Sequence, residues 1–537
     1  MLPAEKTYDA LRANFSWKLP ARFNIGVDVC DKWADGSGRL ALIHKHQDGR
    51  VDNYSFDLLK NLSNKLANTL RAHGLVRGAR VGVLLPQSPE TAYSHIAIHK
   101  LGGISVPLFA LFGEEALAYR LGNCGASALI TDRQGLAKIA TIRHQLPDLK
   151  VVFCIDGPGD KALGLPQELE KASRDFTPVN TALDDPALII YTSGTTGQPK
   201  GALHGHRTLL GHLPGVEFPH GLFPQDNDLF WTPADWAWIG GLFDVLLPSL
   251  HHGKPVLAYR FPKFDPEETF QLLAEFKVRN AFIPPTALKM LRTVDAPKSR
   301  HGFALRSLGS GGESLGSELL DWGRNTFGLT ISEFYGQTEC NLVVASCAEL
   351  MPTKAGSIGK AVPGHDVQIV DNQGQPLAFG QQGNIAIKRP DPVMFLQYWN
   401  NPQATADKFV NDWLLTGDQG VMDEAGYITF VGRDDDVITS GGYRIGPGEI
   451  EDCLLRHPAV ATTGVVGIPD ALRTERVKAF VVLKDGQQPS EALAKDIQNF
   501  VKTRLAAHEY PREVAFVQAL PMTTTGKVIR RALKALG

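Results

Sequence analysis

The sequence predicts an α/β protein: a large layered N-terminal domain with mixed sheets and a small β subdomain, followed by a small α+β C-terminal domain. Three observations predict it. The chain has 537 residues, too many for one ordinary hydrophobic core. From about Phe23 to Arg120 helix-like and strand-like periods alternate, the pattern of strands and crossover helices in a layered sheet. Beyond residue 433 the chain changes to a compact unit with helices and strands of its own, so residues 1–433 and 434–537 are the expected domains.

Composition narrows the function. Hydrophobic content of 43% and charged content of 21% are those of a globular protein without a membrane-spanning part. A net charge of −2 gives no general electrostatic case for binding nucleic acid or an anionic membrane, so any anion must be bound locally. Cys30, Cys124, Cys154, Cys340, Cys347 and Cys453 form no CxxC pair, which argues against a zinc site or a disulfide framework and for a reducing compartment. No signal-like or bilayer-length apolar run occurs, and a cytoplasmic location is expected.

Taken in order, Ser55 to His73 carries Phe56, Leu59, Leu62, Leu66 and Leu70 at helical spacing, and Arg80 to Leu85 reads as a buried strand. Gly36-x-Gly38-x-x-Ala41 matches a loose dinucleotide-binding pattern, but a helix-like segment precedes it and a strand follows, the reverse of what that pattern needs. Gly103 to Val106, Ser127 to Thr131 and Asp184 to Ile190 continue the alternation. Histidines at 204, 206, 212, 220, 251 and 252 have no Cys or acidic partner at ligand spacing and read as core or surface residues. From Ala355 to Val431, short strands such as Val367 to Val370, Asn384 to Ile387 and Tyr427 to Phe430 suggest the β subdomain. The C-terminal unit reads as a helix from Glu449 to Arg456, strands near Thr463, Val477 to Leu483 and Val514 to Val517, and an amphipathic helix from Glu491 to Leu505.

Chemistry concentrates first in Tyr191 to Gly201, YTSGTTGQPKG, which follows the buried strand. Gly194 and Gly197 free the backbone to approach a ligand, while Thr192, Ser193, Thr195 and Thr196 offer hydroxyls beside exposed N–H groups, and Lys200 adds a positive charge. That is a cradle for phosphate oxygens. It is not the P-loop of nucleotide hydrolases, since no Gly-Lys pair is followed by Ser or Thr.

The string resembles the phosphate-loop signature of the adenylate-forming (ANL) superfamily, which includes acyl-CoA synthetases, luciferases and peptide-synthetase adenylation domains. Further motifs carry the same resemblance along the chain from Phe23 to Lys527. SLGSGGESL (Ser307 to Leu315) and SEFYGQTE (Ser332 to Glu339) are similar to the adenine-side motifs. The resemblance implies Gly312, Glu313 and Ser314 along the base, Glu333, Phe334 and Tyr335 around it, Gly336 and Gln337 in the same nucleotide site, Thr338 at the α-phosphate and Glu339 on Mg²⁺. Asp418 in LTGD is the expected ribose anchor, because a carboxylate can accept both diol hydroxyls. In the stretch from Gly432 to Glu451 the resemblance implies Arg433 on the ribose, Asp435 as the hinge of a mobile C-terminal lid, and Arg444 reaching the active site in one lid orientation.

Trp231 to Trp238 with Gly240 and Gly241 resembles the stretch lining the carboxylate pocket, which makes Trp238 and Gly240 acyl-pocket residues, with Ala237 where glycine is usual. Lys527, in PMTTTGK, resembles the mobile lysine that bridges carboxylate and α-phosphate. Gly441, Gly442 and Tyr443 match residues bordering a pantetheine tunnel, and Arg473, Lys502 and Arg512 are expected at the CoA nucleotide.

The implied reaction joins a carboxylic acid to ATP as an acyl-adenylate, releasing pyrophosphate, and then passes the acyl group to CoA. Acetate-specific relatives carry tryptophan where this chain has Gly336, so a medium-chain or branched fatty acid is expected. An aryl-acid CoA ligase, an adenylating enzyme serving a carrier protein, and a nucleotide-binding regulator without catalysis remain open. ATP, CoA and Mg²⁺ are the implied co-substrates and cofactor, and a protein acetyltransferase or deacetylase acting on Lys527 is an implied partner.

Overall fold

The computed structural model describes residues 1–192, 198–313, 315–433, 436–440, 443–470, 474–505, 510–523 and 527–537, apart from the side chains of 439, 443, 444 and 449. Of the expected site residues, Ser193, Gly194, Thr195, Thr196, Gly197, Ser314, Asp435, Gly441, Gly442 and Arg473 lie outside the described residues, as do the side chains of Tyr443 and Arg444.

Among the described residues four sheets form. One has eight strands, with Ile104–Pro107, Arg80–Leu84, Ala128–Thr131 and Val151–Cys154 running parallel and Pro186–Thr192 and Lys200–Gly205 joined as an antiparallel pair. A second has nine strands; Phe230–Trp231, Asn280–Phe282, Ser307–Gly311 and Ser332–Gln337 are parallel neighbours, and Cys340–Ala345 turns back on the last of them. The sheets are therefore mixed, as expected. Helices Phe56–Ala72, Pro89–Lys100 and Thr208–Glu217 contribute their buried residues to the main core. Phe56–Ala72 begins where Ser55 Oγ accepts the Leu58 N–H, a cap of the kind that satisfies an orphan helix donor. The glycine pattern near residue 36 cradles the protein's own carboxylate: the N–H groups of Gly36 and Gly38 donate to Asp57 Oδ1 and Oδ2 at 2.8 and 3.0 Å.

The third sheet is the expected β subdomain, with Val367–Val370, Gln382–Lys388, Phe409–Val410, Trp413–Met422 and Ile428–Arg433. The fourth lies wholly beyond residue 437, and helices Pro447–Leu455 and Glu491–Lys502 pack on its core. The latter helix stops at Lys502 rather than Leu505, although Leu505 still packs against the same core. No helix among the described residues is long and apolar enough to cross a membrane. All six cysteines are buried thiols.

Candidate active site

The described ends of the phosphate-loop string lie on two neighbouring antiparallel strands. Its last paired residues are Thr192 and Lys200, facing each other across antiparallel strands, with Thr192 Oγ1 donating to Lys200 O at 3.4 Å. Tyr119 braces the far side by donating its hydroxyl to Pro199 O at 3.0 Å. Lys200 Nζ stands 5.2 Å above the Tyr398 ring, and the Tyr398 hydroxyl donates to Glu339 Oε1. Lys200 and Glu339 are thus linked through Tyr398, a residue the sequence reading did not single out. Thr338 and Glu339 occupy the turn between Ser332–Gln337 and Cys340–Ala345, Thr338 half-buried and Glu339 buried. Glu339 supplies a hard carboxylate oxygen, and among the described residues no cluster of three His, Cys, Asp or Glu accompanies it. One protein carboxylate fits Mg²⁺ whose remaining ligands are phosphate oxygens and water.

Strand alternation sorts the SEFYGQ motif. Successive side chains point to opposite faces, so Glu333, Tyr335 and Gln337 share one face and Phe334 and Gly336 the other. On the first face, Asp418 Oδ2 accepts from the Tyr335 hydroxyl at 2.6 Å and from Gln337 Nε2 at 2.7 Å, while Arg433 Nε stands 3.9 Å from Oδ1. Oδ2 is therefore already engaged, and Oδ1 is the oxygen left for a ribose hydroxyl; simultaneous capture of two hydroxyls requires Tyr335 or Gln337 to yield. Burial raises the Asp418 pKa above the ordinary carboxylate value, against the pull of Tyr335 and Arg433. Glu333 accepts the Leu315 N–H at 3.2 Å, and burial lifts its carboxyl to about 8.

On the other face Phe334 turns into the core, 5.1 Å from the Phe282 ring and lying over Gly309 and Gly311. Its ring is buried on the face opposite Tyr335 and Gln337. Gly336 stands on that same face, against the returning strand. A Cβ there would meet Asn341 Cα and Oδ1 at 2.7 Å, so the absent side chain accommodates the returning strand before it opens any pocket.

Half-buried Trp238 packs 5.6 Å from Phe109 and 5.8 Å from Phe112, and the Gly240 Cβ position lies 2.9 Å from Phe282. Ala237 has no left-handed backbone, and its N–H donates to Asp235 Oδ1 at 2.8 Å, so alanine is borne there without strain.

Lys527 comes to this site from the other domain. Its segment is closed on itself, Thr523 Oγ1 accepting the Lys527 N–H at 3.0 Å. A Cβ on Gly312, whose φ of +92° needs glycine, would stand 4.0 Å from Lys527 Nζ. The lysine is solvent-exposed within a cleft walled by protein. Those walls lower its pKa from the ordinary lysine value by desolvation, against the attraction of Glu313 and Asp418. Thr286 Oγ1 fixes Glu313 by contacting both of its carboxylate oxygens, at 3.0 and 3.1 Å.

Lys502 and Arg512 flank one ring. Lys502 Nζ lies 5.4 Å and Arg512 Cζ 4.1 Å from the centroid of Tyr510, which forms an exposed cationic and aromatic patch on the C-terminal domain. Backbone pairing places Tyr443 and Arg444 opposite Ser440 and Thr439.

Residues 31–399 match the family described as AMP-binding enzyme, and residues 449–527 match the AMP-binding enzyme C-terminal domain. The chain is 36% identical to the acetyl-coenzyme A synthetase of Bacillus subtilis (strain 168), over 99% of this chain and 95% of that one. It is also 36% identical to the mitochondrial acyl-coenzyme A synthetase ACSM4 of Homo sapiens, over 96% and 91% of the two chains. Among solved structures it resembles the anthranilate CoA ligase AuaEII in complex with anthranoyl-AMP, at 28% identity with a TM-score of 0.88, covering 96% of this chain and 98% of that one.

Proposed function

This chain belongs to the AMP-binding enzyme family, within the adenylate-forming superfamily, and is an acyl-CoA synthetase; from that premise we propose that its substrate is a medium-chain or branched carboxylic acid, and that the lid carrying Lys527 serves the first of two half-reactions. The observation that carries the lysine's part in this reading is the approach of Lys527 Nζ to the Cβ position of Gly312, beside Glu313 and Asp418.

In the first half-reaction an acid oxygen attacks the α-phosphorus of ATP and pyrophosphate leaves. Two anions must meet, so positioning and charge neutralisation do most of the work. Lys527 bridges the carboxylate and the α-phosphate, with Thr338 and Arg444 as further contacts of the reacting centre. Lys200 and the phosphate loop hold the β,γ end. Glu339, oriented by Tyr398, is the residue to hold Mg²⁺, whose charge offsets that of the phosphates. Asp418 and Arg433 take the ribose, and Glu313, Glu333 and Tyr335 border the base.

In the second half-reaction the CoA thiol attacks the acyl carbonyl and AMP leaves. We place the domain boundary between 433 and 434 and the hinge at Asp435. The lid then turns Lys527 away and lets pantetheine pass Gly441, Gly442 and Tyr443, while Arg473, Lys502 and Arg512 meet the CoA nucleotide. The Lys502–Tyr510–Arg512 cluster supports that surface, since it offers two cations and a ring to a phosphorylated adenosine. Lys527 is exposed in its cleft, which is compatible with its acetylation; an intact mass unchanged by an acetyltransferase with acetyl-CoA would count against that modification.

The aromatic wall of Phe109, Phe112, Trp238 and Phe282, with no side chain at Gly240, supports an acyl group larger than acetate. The same aromatic lining favours an aryl acid as the second reading. Carboxylate-dependent ATP–pyrophosphate exchange over acetate to decanoate plus benzoate, with AMP release on adding CoA, tests both. Exchange lost in Lys527→Ala and a kcat/KM for hexanoate above that for acetate are expected. Acetate outranking hexanoate would overturn the chain-length reading, and benzoate outranking octanoate would favour the aryl one.

A further inference from the structure

Gly240, at the proposed acyl space, and Gly336, against the returning strand, are each backed by a polar side chain. Asp244 sits on a single π-helical turn, Leu242–Leu246, immediately after Gly240 and Gly241. Such turns are uncommon and are found frequently at functional sites. The side chain is 4% exposed. Its Oδ1 accepts from Asn341 Nδ2 at 2.6 Å. Its Oδ2 lies 3.5 Å from the Cβ position of Gly240, accepts no hydrogen bond from any described residue, and is not among the oxygens sealed from open space. Asn341 Oδ1 lies 2.7 Å from the Cβ position of Gly336 and likewise has no donor among the described residues. Phe282, 2.9 Å from the Gly240 Cβ position, and Phe334 beside it make the surroundings apolar.

A carboxyl in such surroundings with one oxygen unpaired is destabilising, because burial removes most of its water and no protein donor replaces it. A side chain needed only to hold Asn341 could be closed on both oxygens, and buried polar groups usually are. The open oxygen beside the acyl space is what a bound ligand would complete. We propose that Asp244, oriented by Asn341, makes this enzyme select acids whose chain carries a hydroxyl or oxo group, seated at Oδ2 beside Gly240, over the plain alkanoic acid of the same length. The inference rests on the acyl-CoA synthetase reading above and refines its substrate class. Burial drives the carboxyl toward its neutral form, in which Oδ2–H donates to the substrate oxygen while Oδ1 keeps accepting from Asn341.

The test is ATP–pyrophosphate exchange with hexanoate and with hydroxy- and oxo-hexanoates whose substituent is moved along the chain, for wild type, Asp244→Leu and Asp244→Asn. At least one oxygenated acid is expected to exceed hexanoate in kcat/KM by about tenfold in wild type, because a site built to hydrogen-bond a substrate oxygen rejects the analogue lacking it. Asp244→Leu is expected to reverse that order, and Asp244→Asn, which preserves shape and can still donate, to retain part of the preference. Should Asp244→Leu fail to fold, wild type and Asp244→Asn still decide. A wild-type preference for hexanoate over every oxygenated analogue overturns the proposal, and so does an equal loss for all acids in both variants. In either case exchange with hexanoate leaves the synthetase reading standing, whereas no exchange with any acid takes both down.

Discussion

The Tyr335 hydroxyl donates to Asp418 Oδ2 at 2.6 Å, across the boundary between the nine-stranded sheet and the β subdomain. This bond and the one from Gln337 fix the carboxylate before any ligand arrives, so the proposed ribose anchor is set in advance. Tyr335→Phe removes one of the two donors. A hydrogen bond of this kind contributes about 1–2 kcal/mol, so KM for ATP is expected to rise roughly tenfold with kcat changed less. Steady-state kinetics check it; an unchanged KM would show that Gln337 alone suffices.

Tyr398 joins Lys200 and Glu339. In Tyr398→Phe the ring under Lys200 stays and the donor to Glu339 goes. The Mg²⁺ concentration for half-maximal exchange is expected to rise several-fold, by analogy with other outer-shell partners of metal ligands. A magnesium titration in which variant and wild type coincide would remove Tyr398 from the account of that site.

Gly336→Ala puts a Cβ where Asn341 Cα and Oδ1 already stand. The hairpin has to move, at about 1–3 kcal/mol for overpacking. A lowered Tm and weaker exchange with every acid are expected, without a shift of preference toward shorter acids. Wild-type stability with a shortened acid profile would instead mean that Gly336 acts as a simple pocket wall.

Acid should destabilise the fold through its buried histidines. Burial depresses His95, His204 and His220 to about 3 and His206 and His212 to about 4. Because the folded values lie below the unfolded value of about 6.5, the unfolded chain binds more protons as pH falls through this window. Stability is therefore full above about pH 6.5 and declines toward pH 4, by about 1.4 kcal/mol per pH unit for each such histidine once well below the unfolded value. Thermal unfolding followed from pH 8 to pH 5 checks this, and a Tm that stays level down to pH 5 contradicts it.

The sequence by itself determined the chemistry carried by neighbouring residues. Glycines and hydroxyls packed into YTSGTTGQPKG read as a phosphate cradle because those backbone and side-chain needs are local, whereas Lys527 in PMTTTGK drew its expected role only from the resemblance carried by the other motifs. The alternation in SEFYGQ also held the sorting of Tyr335 and Gln337 from Phe334 and Gly336. What only the tertiary structure decided are the encounters between distant segments: Lys527 with Gly312, Tyr398 with Glu339, Asp244 with Asn341, and Asn341 with the space beside Gly336. The last of these depends on strand register and on an irregularity between Tyr335 and Gln337. A one-residue slip there would turn the same side chains to the opposite face, and no composition or spacing within either segment encodes which partner the other brings.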